Sequence, residues 1–485
     1  MKNIFICFFL SMSSYLSAQN TDVERVIYWL HGLGGDNAAW SRAANATTYN
    51  RTQPIAGFPA RKAWSEQLGY ENQIYNLDNA AGYIQGKILN TDPISTTFGI
   101  TNKSNNFIIA HSQGGLVARA VDRLYTLNPW LERRINGVVT FGTPHQGAQI
   151  LNNTSMFSSF VDGSCTELTA GPIEEEVENN FLLDLITSGS QVRTILDPIC
   201  NLLGGAAPLA FNDFTQPITE DYKVGAAPLA SLNSFSSTAN KVAFYGIEDD
   251  QNTVWRVMHN VLSKKPNEYD AFSADDDNDL VNKVNMNLLK YQSKVAYWQE
   301  SYSALTWLYC DWWDWIIHPV GCTINDAMVN NSRHEALGTR DQWQRGVNWW
   351  NTANDRYKTI IGAYTYTPTA TTFYECNCSD YDYDGIAINS WTTNVTDPNE
   401  CIGNNWLQGC GLTGNSYQET ILVPNPPLPS DGVVLVESAS NFQGAPSREM
   451  IGSNHQQMRN DSNTKDRLKE LFIGQYGAYF ITSER

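Results

Sequence analysis

Five apolar runs along the chain read as strands, and each stops at a turn. Val26-Ile27-Tyr28-Trp29-Leu30 is β-branched and aromatic, and it ends in His31-Gly32-Leu33-Gly34-Gly35. Phe107-Ile108-Ile109-Ala110 runs straight into His111-Ser112-Gln113-Gly114-Gly115. Residues 135–141 end at Gly142-Thr143-Pro144, residues 241–245 end at Gly246, and residues 432–436 form the last run. Between the second and third runs, residues 116–127 have helical spacing, with Arg119 and Arg123 on the polar side. Strands alternating with helices imply a mostly parallel sheet covered on both faces.

Two stretches break the rhythm. Residues 161–237 are rich in Leu, Asn, Ser and Ala. Residues 251–415 are rich in Trp and Tyr, with helical spacing over 279–307 and a loop-rich, cysteine-bearing second half. We read the chain as a signal peptide (1–18), a catalytic core (19–160), an insertion or lid (161–237), a core strand (238–250), a cap insertion (251–415) and a returning core segment (416–485).

Ser112 lies between a strand and a helix in Ala110-His111-Ser112-Gln113-Gly114. Small residues two positions either side permit the sharp turn that exposes a nucleophilic serine at the carboxyl end of a sheet. Acyl transfer also needs donors for a developing oxyanion. The N–H of Gln113 and one from the earlier glycine turn, Leu33, are the candidates; an ordinary strand-ending turn is the plainer reading of the latter. His31 and His145 sit in turns expected to line the pocket.

These pieces resemble the bacterial lipase and GPI-inositol-deacylase-like branch of the α/β-hydrolase superfamily. The matching segments are HGLGG, AHSQGGLVAR, VVTFGTPHQG and SDGVVLVESA, with SNHQQMRN near the end. The resemblance covers about residues 24–150 and 415–485. It implies an α/β-hydrolase fold with a large inserted cap, Ser112 as nucleophile, Asp431 as acid and His455 as base. The chain order Ser, Asp, His is the one that fold uses. The surroundings of His455 also suit a base, with a Gly452-Ser453-Asn454 loop before it and a helix over 461–472 after it. The acid has alternatives in Asp249, Asp250 and Asp384, since the first two follow another strand end.

The remaining features bound the setting. A net charge of −18 and a pI near 4.8 disfavour nucleic acid and anionic membranes. Lys2, an apolar run and Leu16-Ser17-Ala18 read as a cleavable export signal, so the expected location is secreted or periplasmic without a stable membrane anchor. Cleavage leaves eight of the nine cysteines, which suggests disulfides, Cys310 with Cys322 first. Cys376, Cys378, Cys401 and Cys410 could alternatively hold zinc, but the CxC spacing is unusual for that metal. Asp380-x-Asp382-x-Asp384-Gly385 begins like a calcium loop and lacks its closing carboxylate, because Trp391 stands there. No cofactor is expected, with calcium an open candidate. The aromatic residues Trp298, Tyr302, Trp307, Tyr309, Trp312, Trp313 and Trp315 suit a lid, a packed cap interior or a sugar platform. The expected activity is hydrolysis of a carboxylic ester, of a small molecule or lipid, through an acyl-enzyme. An amidase or peptidase of the same fold, or a lipid- or glycan-binding protein on a hydrolase scaffold, are the alternatives. The pattern specifies no oligomeric state.

Overall fold

A computed structural model describes residues 23–47, 62–161, 214–248, 251–262, 270–274, 278–305, 308, 317–381, 387–402 and 408–482. The core is one six-stranded sheet. Its strands are β1 (Arg25–Leu30), β2 (Ala63–Leu68), β3 (Phe107–His111), β4 (Gly137–Phe141), β5 (Asn240–Ile247) and β9 (Ser447–Ile451). They lie in the order β2-β1-β3-β4-β5-β9, and all five neighbouring pairs are parallel.

The period-2 pattern of the apolar runs explains why this sheet is buried on both faces. In β1, Val26, Tyr28 and Leu30 enter one core while Ile27 and Trp29 enter the other. β3 repeats this, with Ile108 and Ala110 on the first side and Phe107 and Ile109 on the second. Helices α1 (Ser41–Thr47) and α7 (Ser462–Phe472) cover the second face. Helices α2 (Leu77–Asn90) and α3 (Gln113–Leu127) cover the first.

Two strands escape the apolar pattern. β2 reads Ala-Trp-Ser-Glu-Gln-Leu and β9 reads Ser-Arg-Glu-Met-Ile. Both are edge strands, with water on one side, so polar residues cost little there. The expected strand over 432–436 does not form. Asp431 Oδ1 accepts the N–H groups of Val433 (2.9 Å) and Val434 (2.7 Å), which curls the chain into a turn closed by a Ser430–Leu435 bridge. A short helix, Val436–Ser440, follows.

After α4 (Thr253–Leu262), the helix expected over 279–307 forms as α5 (Asn278–Leu305). The second half of the stretch, expected to be loop-rich, is instead regular and begins with α6 (Pro319–Ile360), a helix of 42 residues. Trp343, Trp349, Trp350 and Tyr357 of α6 are buried and join the core on the α3 side of the sheet.

Residues Tyr364–Pro427 form a separate compact unit. Its antiparallel strands β6 (Tyr366–Tyr381), β7 (Ala387–Val395) and β8 (Gln408–Pro424) lie in the order β7-β6-β8. The core resumes at Leu428, and position 416 falls inside β8. Cys376 pairs with Cys401 and Cys378 with Cys410, so the four thiols considered for zinc are consumed as two disulfides. Cys322 is also disulfide-bonded, whereas Cys310 lies outside the described residues. Outside them too are residues 1–22, the Asp382 to Asp384 part of the calcium-like segment, and Trp307, Tyr309, Trp312, Trp313 and Trp315 of the aromatic stretch.

Candidate active site

Strand order places the site. The chain runs from β1 outward to β2, then returns to β3 on the other side of β1. Parallel sheets open a crevice at the carboxyl ends where the order reverses. Ser112 follows β3 and the His31–Gly35 turn follows β1, so both stand at that crevice.

Ser112 is the first residue after β3 and the cap of α3, with φ of 53° and ψ of −129°. A left-handed φ is strained for a residue with a side chain, and here the surroundings enforce it. Ser112 N–H donates to Phe141 O at 2.9 Å. Its carbonyl accepts from Thr143 Oγ1 at 2.9 Å and from Gly115 N–H at 3.0 Å. The glycines provide room for close approach. A Cβ on Gly114 would sit 2.2 Å from the carbonyl oxygen of His31, and one on Gly32 would sit 2.8 Å from Ser112 Cβ. The glycine turn and the serine elbow are therefore packed backbone to backbone.

The other two residues arrive from the far end of the chain. His455 Nε2 lies 2.9 Å from Ser112 Oγ, and His455 Nδ1 lies 2.7 Å from Asp431 Oδ2. His455 N–H also donates to the Asp431 carbonyl at 2.8 Å, which ties the two loops together. Asp431 and His455 are buried, while Ser112 is partly open. Asp431 Oδ1 is occupied by Val433 and Val434, so Oδ2 is the oxygen left for the imidazole. Of the alternative acids, Asp249, Asp250 and Asp384 lie outside the described residues. Among the described residues, neither Leu33 N–H nor Gln113 N–H is bonded to a backbone acceptor.

His31 and His145 do not line an open pocket. His31 donates from Nδ1 to Gly32 O (2.7 Å), accepts Tyr70 N–H at Nε2 (3.2 Å) and stacks on the Tyr70 ring at 4.2 Å. Glu71 lies 3.4 Å from the same Nε2, and burial lowers the His31 pKa against the raising influence of that carboxylate. His145 is held between Thr140 Oγ1 (3.0 Å) and Arg119 (3.2 Å) and stacks on Phe442. Both rings are buried because they brace turns from beneath. Arg119, expected on a polar face, is buried with them and donates to Leu232 O and Asn233 Oδ1 as well.

Sequence reasoning missed several supports. His111 donates from Nε2 to the carbonyl of His455, and burial holds its pKa well below the usual histidine value, aided by the charges of His455 and Arg459. Glu248 pairs with Arg256 at 2.6 Å, and its N–H donates to Ser430 O next to the acid. Arg256 also reaches Gly452 O, ahead of His455. Tyr357, near the end of α6, donates its hydroxyl to Gly432 O at 2.8 Å. Each joins residues far apart in sequence, and no local pattern marks such pairs. Among the described residues, no cluster of His, Cys, Asp and Glu could hold a metal ion.

The sheet order, the left-handed Ser112 and the carboxyl-end loops are one architecture, and residues 26–188 match the family model of the PGAP1-like alpha/beta domain. The core has an α/β-hydrolase fold. No curated protein matches this chain in sequence. Solved structures similar to it include phospholipase PlaB from Legionella pneumophila (10% identity, 46% of this chain and 39% of that one, TM-score 0.25). Others are the mature Bacillus licheniformis lipase BlEst2 (14%, 47% and 69%, 0.26) and the RedJ thioesterase of Streptomyces coelicolor (13%, 47% and 69%, 0.22). The chain thus spans well under half the length of PlaB.

Proposed function

We propose that this protein is a serine ester hydrolase of the lipase or esterase type, with Ser112 as nucleophile, His455 as general base and Asp431 as the orienting acid. The hydrogen-bonded line from Ser112 Oγ through His455 to Asp431 Oδ2 is the observation that carries the reading. His455 Nε2 takes the serine proton as Oγ attacks the ester carbonyl. Asp431 keeps the remaining proton on Nδ1 and stabilises the imidazolium that forms. The tetrahedral oxyanion is met by the N–H groups of Leu33 and Gln113, which are free of backbone partners and flank the serine. His455 then protonates the departing alcohol, leaving an acyl-enzyme. Water, activated by the same imidazole, releases the acid and restores Ser112.

The two disulfides support an oxidising, extracytoplasmic setting, in keeping with the export signal read in the first 18 residues. Among the described residues no helix is long and apolar enough to cross a membrane. The proposed substrate class is a carboxylic ester, of lipid or fatty-acid type.

A fluorophosphonate probe tests the chemistry directly. One probe per protein is expected on the native chain, and Ser112→Ala should abolish both labelling and ester hydrolysis. Removing a triad member costs about 10⁴- to 10⁶-fold in rate. Absence of labelling on folded, exported protein would overturn the reading. A p-nitrophenyl ester series from short to long chain, below and above micelle formation, then separates esterase from lipase.

A further inference from the structure

Strands β1 and β2 run parallel with Leu30 opposite Leu68, so the chain leaves both at the same carboxyl-end edge. His31 follows one strand directly, and Tyr70 lies two residues beyond the other. Three contacts join them. The Tyr70 hydroxyl donates to the His31 carbonyl at 2.8 Å, and the Tyr70 N–H donates to His31 Nε2 at 3.2 Å. The two rings stack 4.2 Å apart and 8° from parallel. Tyr70 is buried, and burial raises its pKa well above the usual tyrosine value, so the hydroxyl remains a donor.

Each contact bears on the glycine turn. A ring nitrogen that accepts carries no proton, so the Tyr70 N–H places the proton of neutral His31 on Nδ1. Nδ1 donates it to Gly32 O at 2.7 Å, an oxygen that Gly35 N–H shares at 3.1 Å. Gly32 O and Leu33 N–H belong to one trans peptide unit and point in opposite directions. Holding the oxygen therefore fixes the N–H, which faces away from the ring. The unit also stands at the serine, because a Cβ on Gly32 would lie 2.8 Å from Ser112 Cβ. The His31 carbonyl that receives the Tyr70 hydroxyl is the same oxygen that a Cβ on Gly114 would meet at 2.2 Å. Glu71 offers a competing arrangement, since its carboxylate lies 3.4 Å from Nε2 and could accept a proton placed there.

We propose that Tyr70 is a positioning residue of the oxyanion hole: acting through His31, it fixes the Gly32–Leu33 peptide so that Leu33 N–H meets the developing oxyanion. The inference rests on the ester-hydrolase reading above. Tyr70 touches neither substrate nor reacting atoms, and it lies outside every motif read from the sequence.

The test uses Tyr70→Phe, which keeps the ring and the N–H and removes only the hydroxyl. On a p-nitrophenyl ester, kcat/KM should fall about 10- to 100-fold, the scale of a misplaced oxyanion donor. Affinity for a trifluoromethyl ketone, which adds Ser112 and then carries an oxyanion, should fall by the same factor. The matching alcohol forms no oxyanion and should bind as it does to the wild type. An unchanged kcat/KM, a fall without matching loss of ketone affinity, or equal losses for ketone and alcohol would each overturn the assignment. A second arm needs no folded variant. In ¹⁵N NMR of the wild type with labelled histidine rings, His31 should carry its proton on Nδ1 at neutral pH. A proton on Nε2, facing Glu71, would overturn the assignment whatever the variant does. End-point fluorophosphonate labelling of the wild type separates the two failures. Labelling of Ser112 with a normal Tyr70→Phe removes the Tyr70 role alone, whereas no labelling removes the ester reading itself.

Discussion

His111 Nε2 lies 2.7 Å from the carbonyl oxygen of His455, so the residue next to Ser112 holds the backbone of the residue proposed as base. A carbonyl can only accept, which places the His111 proton on Nε2 and leaves Nδ1 bare and buried. His111→Leu should leave that carbonyl unpaired, at about 1–3 kcal/mol of stability. It should also let His455 drift, with kcat falling on the order of 10²-fold. His111→Gln keeps an N–H donor at a similar reach and should recover most of kcat. Equal kcat losses in the two variants, measured with stability by denaturation, would show that the hydrogen bond is not what matters.

Acid should destabilise this protein before its carboxylates titrate. Burial lowers the pKa of His31, and lowers those of His111 and His145 further. Unfolded, each binds a proton near pH 6.5. The unfolded state therefore holds more protons as pH falls below that value, and stability declines. The slope is about 1.4 kcal/mol per pH unit for each histidine fully protonated only when unfolded. Urea denaturation at pH 7, 6 and 5 should show a falling midpoint, partly restored in His145→Gln. Glu66 and Asp221 act in the opposite sense, because burial raises their pKa, but only nearer the carboxylate range.

Asp431→Asn should preserve the turn, since an amide oxygen can still accept from Val433 and Val434. Its amide nitrogen would face His455 and favour the wrong imidazole tautomer. The expected cost is about 10⁴-fold in kcat with an unchanged circular dichroism spectrum. A loss below tenfold would point to another acid.

Glycine content is not uniformly required. Gly114→Ala would place Cβ against a backbone carbonyl that cannot rotate away, and should give insoluble or strongly destabilised protein. Gly82, inside α2, has nothing within 4 Å of such a Cβ. Gly82→Ala should raise stability by about 0.4–1 kcal/mol, read from thermal midpoints.

What could be read from the chain followed from how local the causes were. Apolar runs at β1, β3, β4 and β5 and their terminal glycine turns were legible, because burial on both faces demands unbroken hydrophobicity. The edge strands β2 and β9 were not, since an edge needs no such run. The apolar 432–436 segment read as a strand, but the Asp431 side chain captured its N–H groups first. Motif and chain order singled out Ser112, Asp431 and His455, three side chains that the fold brings into one hydrogen-bonded line. The braces at His111, Glu248, Arg256 and Tyr357 are pairings across up to several hundred residues, with no trace in local spacing.

The junction of the disulfide-bearing unit offers a final consequence. It leaves after Ala363 and returns at Leu428, and Leu428 N–H donates to Ala363 O at 2.7 Å. Its two ends are therefore already touching. An excursion that begins and ends at one point can be gained, lost or exchanged as a cassette without altering the path of the chain around it. In evolutionary terms, the 64-residue segment Tyr364–Pro427 is free to diverge at a different pace from the sheet-bearing frame, and a two- or three-residue bridge is all its removal would require.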